Sequence, residues 1–242
     1  KAMRRFLIDT IDKVANPDNI IILAGKAGSG KTHLLNKLRY SLDLEGCARH
    51  RGSAFGGRVK PQPTPASFEN YISIEFLKLP FSIPSKLFLE DESRSIGTVS
   101  IPNNLHKAMN EAPLAYIEKS LDSRIETILN DYIISNYLEY EQFAPTDAKN
   151  QFTKSLLASL DRIRRRLGDE NYSHLRRIMI KALMSKTNDE AHPFHSEWIR
   201  YLLKNYYDPM YEYQLDKKLH RIIFRGNKYE FLEWVKQMEK NK

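Results

Sequence analysis

Residues 19–32 read NIIILAGKAGSGKT, and the fold follows from this stretch. Ile20, Ile21, Ile22 and Leu23 make a continuous apolar run that ends before Gly25, the pattern of a strand covered on both faces. From Gly25 the chain fits G-x-x-x-x-G-K-[ST], with Gly25, Gly30, Lys31 and Thr32 in the fixed places and Lys26, Ala27, Gly28 and Ser29 between them. Glycine lets the backbone turn its N–H groups toward a phosphate with no Cβ in the way. Residues 33–40, with Leu34, Leu35 and Leu38 on one face, predict a helix whose N-terminal dipole adds to the same anion site. Lys31 supplies charge to the outer phosphates and Thr32 a hydroxyl to Mg²⁺, with ATP or GTP among the ligands such a loop takes.

Composition bounds what surrounds this loop. The 242 residues suffice for one α/β domain with an appendage. A single cysteine, Cys47, permits neither an internal disulfide nor a thiolate zinc cluster, as expected of a cytoplasmic protein. The apolar runs fall far short of the roughly 20 residues that span a bilayer, so no membrane partner is expected. Residues 1–150 carry 19 Lys and Arg against 18 Asp and Glu, whereas residues 151–242 carry 19 against 12. That asymmetry points to an anionic partner for the C-terminal part, nucleic acid first.

Taken in order, residues 1–15 place Met3, Phe6, Leu7, Ile11 and Val14 near helical spacing, an amphipathic helix expected at the sheet edge. SLDLE at 41–45 alternates apolar and acidic residues and predicts a second strand ending at Gly46, with Asp43 beside the phosphates. Residues 47–65 show no periodicity and mix Arg49, His50, Arg51, Ser53 and Arg58 with glycines and prolines. Loops of that length are usually functional or disordered, and this one reads as binding phosphate or RNA. A helix opened by Ser67 closes before Pro80. Residues 86–89 predict a strand running into Glu90, Asp91 and Glu92, an acid placement suited to water-held Mg²⁺ opposite a phosphate loop. Asp43 and Asp91 are the candidate metal acids alongside Thr32, and Arg94 joins Lys31 as a candidate catalytic cation.

Helices at 102–110 and 121–133 and a strand at 115–118 continue the alternation of a parallel sheet with crossover helices. From Pro145 helices dominate, at 148–167 and 172–185 with a break at Gly168, then at 195–203. Arg162, Arg164, Arg165, Arg166, Arg176 and Arg177 give this part its charge, and Tyr206, Tyr207, Tyr211 and Tyr213 read as core more than as a base-stacking platform. A strand at 221–224 and a helix at 228–239 close the chain. The prediction is an α/β, P-loop NTPase-like parallel sheet flanked by helices, with a C-terminal helical insert. Its parts are a core over 1–144, a basic helical region over 145–218 and a return to the core over 219–242.

Together these stretches resemble the tRNA 2-selenouridine synthase family. The likeness lies in AGKAGSGKT at 24–32, DLEGCARHRGSAFG at 43–56, QPTPASFEN at 62–70, EDESRSIG at 90–97 and YYDPMYEYQL at 206–215. DLEG followed by HRGS is far more specific than the phosphate loop. The resemblance implies a transferase acting on wobble 2-thiouridine of tRNA, which forms 2-selenouridine from selenophosphate through an S-geranyl intermediate made from geranyl diphosphate. It makes tRNA, held by its anticodon arm, the anionic partner of Arg49, His50, Arg51, Ser53, Arg58, Arg162, Arg165, Arg166, Arg176 and Arg177. It also implies a rhodanese domain or separate rhodanese subunit whose cysteine handles selenium. This sequence begins at Lys1 about where such a domain would end, and Cys47 lies within the DLEG stretch instead. The same residues would also serve a small-molecule phosphotransferase, or a non-catalytic, nucleotide-gated tRNA-binding module.

Overall fold

The structure, a computed structural model, describes residues 2–79 and 86–240. The elements in chain order are α1 (Ala2–Val14), β1 (Ile20–Ala24), α2 (Lys31–Leu35), β2 (Ser41–Leu42), α3 (Leu44–Ala48), α4 (Pro65–Lys78) and β3 (Leu87–Glu90). A small hairpin of β4 (Ser95–Ile96) and β5 (Val99–Ser100) follows, then α5 (Asn103–Glu111), β6 (Leu114–Ile117) and α6 (Leu121–Ile128). The remainder is α7 (Ser135–Phe143), α8 (Ala148–Leu167), α9 (Asp169–Met184), α10 (Asn188–Leu202), α11 (Asp208–Asp216), β7 (Ile222–Gly226) and α12 (Lys228–Lys240).

Five strands form a parallel sheet in the order β2-β3-β1-β6-β7 among the described residues. The chain leaves β1 toward one edge and returns to its other side at β6, so the loop after β1 lies at the switch point where parallel sheets bind ligands. The central strands are buried throughout, which explains their unbroken apolar runs. One face of the sheet packs against α1, α4 and α5, and the other against α2 and α12. A second core, away from the sheet, unites Ile125, Leu129, Ile133 and Tyr140 with Phe152, Leu160, Leu175, Trp198 and Leu203. Helices on both sides of position 145 therefore share it.

Several local expectations are corrected. The helix after the phosphate loop covers only Lys31–Leu35, because the chain then tightens, Lys37 and Leu38 donating three residues back to Leu34 O and Leu35 O at 2.9 Å, and the Ser41 hydroxyl adds a bond to Leu35 O at 2.7 Å. The strand expected at 41–45 stops at Leu42. Asp43 instead caps α3, its Oδ1 accepting the Gly46 N–H at 2.7 Å, so Gly46 is helical. The α4 cap is Thr64 with Pro65 at the first helical position, not Ser67. The lead-in helix lies across α4 and α5 rather than at the sheet edge, and leaves Met3 and Phe6 exposed; Lys1 lies outside the described residues. The tyrosine stretch is helical, and the helix expected at 195–203 begins at Asn188.

Candidate active site

The phosphate loop has the geometry that its glycines permit. Gly25, Gly28 and Gly30 hold φ of 153°, 77° and 84°, and a Cβ on Gly25 would lie 2.7 Å from Ile117 O, so that position takes no side chain. Lys31 closes the loop by donating from Nζ to Gly25 O at 3.1 Å. Ser29 is buried, and its Oγ finds no hydrogen-bond partner among the described residues.

Facing Lys31 are three carboxyls: Glu90 at the end of β3, Glu92 just beyond it, and Glu45 in the first turn of α3. Burial, and behind it the neighbouring carboxylates, pushes Glu92 up to about 8 and Glu45 up to about 10, against the pull of Lys31. Glu90 is only 3 % exposed; burial raises it too, opposed by Lys31 and by the Thr32 hydroxyl. Its Oε1 is buried with no hydrogen-bond partner among the described residues. A hydroxyl and an unsatisfied carboxylate oxygen side by side suit a hydrated Mg²⁺ shared with substrate phosphates, so Thr32 and Glu90 fit that ion. No three His, Cys, Asp or Glu side chains among the described residues make a metal cage, and a shared Mg²⁺ requires none.

Both acids singled out from the sequence line the cleft but are engaged elsewhere. Asp43 caps α3, and Asp91 receives Lys218 Nζ on its two oxygens at 2.6 and 2.9 Å. Glu90 belongs to the acidic stretch read as suited to Mg²⁺, but a strand buried on both sides hides which acid at its end turns toward the loop.

The tyrosine stretch roofs the loop. Arg124, 3 % exposed, donates from both terminal nitrogens to Asp208 at 2.7 Å, while Lys26 reaches Glu212 at 2.6 Å. Tyr206, Tyr207 and Tyr211 line the cleft, and the Lys31 ammonium lies 5.9 Å from the Tyr211 ring centre. Tyr213 points out to solvent. Two π-helical turns, Leu129–Ile134 and Leu203–Tyr207, border the cleft and shift the helix phase. They aim Asp131 at His33 Nε2, 3.1 Å away, and bring Tyr132 and Tyr207 to the loop that holds Ser53.

The cleft totals about 880 Å³ and runs from the phosphate loop to an apolar end formed by Phe55, Ile163, Trp198, Ile199, Leu202 and Leu203. Phe55 stacks on Trp198 with ring centres 5.6 Å apart. The Trp198 indole N–H donates to His195 Nδ1 at 3.0 Å. Burial, assisted by His192, pushes His195 down to about 4 and keeps it a neutral acceptor.

The basic residues expected to meet tRNA divide into groups. Arg51, Ser53, Arg58 and Arg166 line the cleft, as does Arg94, the candidate catalytic cation. Arg51 lies over the Tyr132 ring, Arg58 pairs with Glu139, and Arg166 donates to the Tyr206 hydroxyl at 3.2 Å. Arg162 donates to Ala54 O at 2.7 Å and so fastens the 49–58 loop to α8. His50 makes a bridge to Gly57. Arg49 turns away onto Tyr71, and Arg165, Arg176 and Arg177 are exposed outside the cleft.

A parallel sheet with a phosphate loop at its switch point makes the chain a P-loop NTPase-like α/β protein. Residues 18–242 match the family described as the tRNA 2-selenouridine synthase AAA domain, and the chain belongs to that family. It is 39 % identical over 241 residues to the tRNA 2-selenouridine synthase of Pseudomonas fluorescens (strain Pf0-1), covering 100 % of this chain and 66 % of that protein. It is 41 % identical to that of Marinobacter nauticus (98 % and 65 % covered) and 43 % to that of Aeromonas salmonicida (97 % and 63 %). The chain thus spans just under two thirds of the length of these relatives. Among the described residues no helix is long and apolar enough to cross a membrane.

Proposed function

We propose that this chain transfers the geranyl group of geranyl diphosphate to the sulfur of wobble 2-thiouridine in tRNA, on the route to 2-selenouridine. The observation that carries the reading is the single cleft joining a phosphate loop to an apolar end. A nucleotide would offer that end a polar sugar and base, whereas a prenyl diphosphate offers a hydrocarbon chain. Names of the relatives support the tRNA substrate.

The thiocarbonyl sulfur attacks C1 of the geranyl group. The S–C1 bond forms as the C1–O bond breaks, its electron pair leaving on diphosphate, and the base gives up its N3 proton. Lys31 and the loop N–H groups stand where that negative charge develops. Mg²⁺ held by Thr32 and Glu90 would add positive charge at the diphosphate oxygens. The apolar end excludes water from C1, which favours sulfur over hydrolysis. Arg51, Arg58 and Arg166 at the cleft would receive the anticodon arm. Replacement of the S-geranyl group by selenium from selenophosphate is assigned to a rhodanese cysteine, because burial pushes the thiol of Cys47 up to about 12 and away from reactivity.

Incubation with 2-thiouridine tRNA, geranyl diphosphate and Mg²⁺, followed by digestion and mass spectrometry, tests this. S-geranyl-2-thiouridine is expected, and 2-selenouridine is not expected from selenophosphate without a rhodanese partner. Selenouridine made by this chain alone, or no geranylated product despite tRNA binding, would overturn the assignment.

A further inference from the structure

The apolar end is closed by a wall with an unusual brace. Trp198 is 3 % exposed, stacked on Phe55 of the 49–58 loop, and its indole N–H is held by the buried His195 one turn back along α10. A tryptophan packed on one face and hydrogen-bonded at its edge cannot swing aside as a lone leucine could. Building on the prenyl-transfer reading, we propose that Trp198, positioned by His195, is the stop that sets the length of hydrocarbon chain this cleft accepts behind a diphosphate.

The argument is steric. The phosphate loop fixes the polar end of the ligand, so the distance from loop to wall decides how many carbons fit. A chain one isoprene unit longer must displace the indole, and a shorter one leaves apolar surface unfilled. Hydrophobic pockets discriminate by about ten-fold or more per misfit group. Ala54, beside Phe55 and also lining the cleft, gives an independent handle, since a larger side chain there fills the same space from the loop side.

The test compares non-hydrolysable thiolodiphosphates carrying dimethylallyl, geranyl and farnesyl chains, by calorimetry and then by transfer to 2-thiouridine tRNA with the true diphosphates. Trp198→Leu should raise the farnesyl-to-geranyl ratio, in affinity and in kcat/KM, by about ten-fold or more. Ala54→Leu should shift preference toward dimethylallyl. His195→Leu should loosen the wall part-way, and His195→Gln, which restores an acceptor, should recover the wild-type ratio. Retained affinity for inorganic diphosphate shows in each case that the variant is folded. Unchanged ratios in variants that bind diphosphate would overturn the wall. Wild type binding geranyl thiolodiphosphate no better than inorganic diphosphate would overturn wall and transfer reading together. Wild type that ranks the chains in binding but transfers none would overturn transfer alone.

Discussion

On the sheet side of the cleft, the first turn of α2 and the end of β3 deliver a compact set of charged and hydrogen-bonding groups: Lys31 and Thr32 from the helix, and Glu90 from the strand, where it pairs with Leu23 of β1. On the helical side, side chains from the 49–58 loop, α8, α10 and two π-helical turns form an apolar and aromatic wall. The first wall is rigid because its strands are buried and laddered on both sides. The second depends on packing and on the buried Arg124–Asp208 ion pair. Their difference suggests a division in which the sheet side binds charge common to many phosphate esters and the helical side chooses what is attached to it.

The sharpest way to break this comparison is at Lys31. Lys31→Ala should lower diphosphate affinity by about a hundred-fold or more, because it removes the cation that closes the loop. Equal affinity in a folded variant would mean the sheet side does not hold the anion. Next comes the seam between the two sides. Arg124→Met leaves Asp208 facing Lys26 alone, and should destabilise the protein by about 2–4 kcal/mol in denaturant titration. A loss under 1 kcal/mol would show that the roof is held by other contacts.

The helical side should also carry a pH signature. His195 is lowered to about 4 in the folded state, so the unfolded chain binds a proton first as pH falls. Its stabilising contribution is complete above about 6.5 and is lost from there down to about 4, at up to about 1.4 kcal/mol per pH unit. His195→Gln should remove that slope, as seen in urea midpoints at pH 7, 6 and 5. The smallest effect concerns the basic rim. If tRNA binds at the cleft, Arg166→Ala should reduce the log–log salt dependence of binding by about 0.7–0.9, and Arg176→Ala, away from the cleft, by less.

Much of the sheet side was legible because its motif is contiguous. Residues 25–32 state the loop, and the apolar runs of β1, β3 and β6 state parallel strands. That Asp91 pairs with Lys218 while Glu90 neighbours Thr32 was not, since every residue of β3 is buried and no alternation reveals which acid turns inward. At Asp43, local capping prevailed over an alternating pattern that suited a strand equally well. The helical wall was hidden for another reason. Phe55, Ile163 and Trp198 are far apart in the chain, and the π-helical turns change the phase that a 3.6-residue period assumes. The tyrosine stretch was read as core, and Tyr206 and Tyr207 do pack on the second core, but its place over the loop, set by the Arg124–Asp208 pair, could not be read from composition.

The helical layer leaves the sheet after β6 and rejoins it at β7, a hydrogen-bonded neighbour. Its two ends are therefore pinned side by side, and from the sheet's standpoint it is one long excursion of roughly a hundred residues, whose closure entropy grows only with the logarithm of its length. Such an excursion can be enlarged, trimmed or replaced at little cost to the strands beneath it. Lineages could thus re-tailor the helical layer while leaving the strands and the loop after β1 untouched. In a single molecule the same arrangement predicts two exchange units, with amides of α8–α10 opening to deuterium at lower free energy than those of β1 and β6.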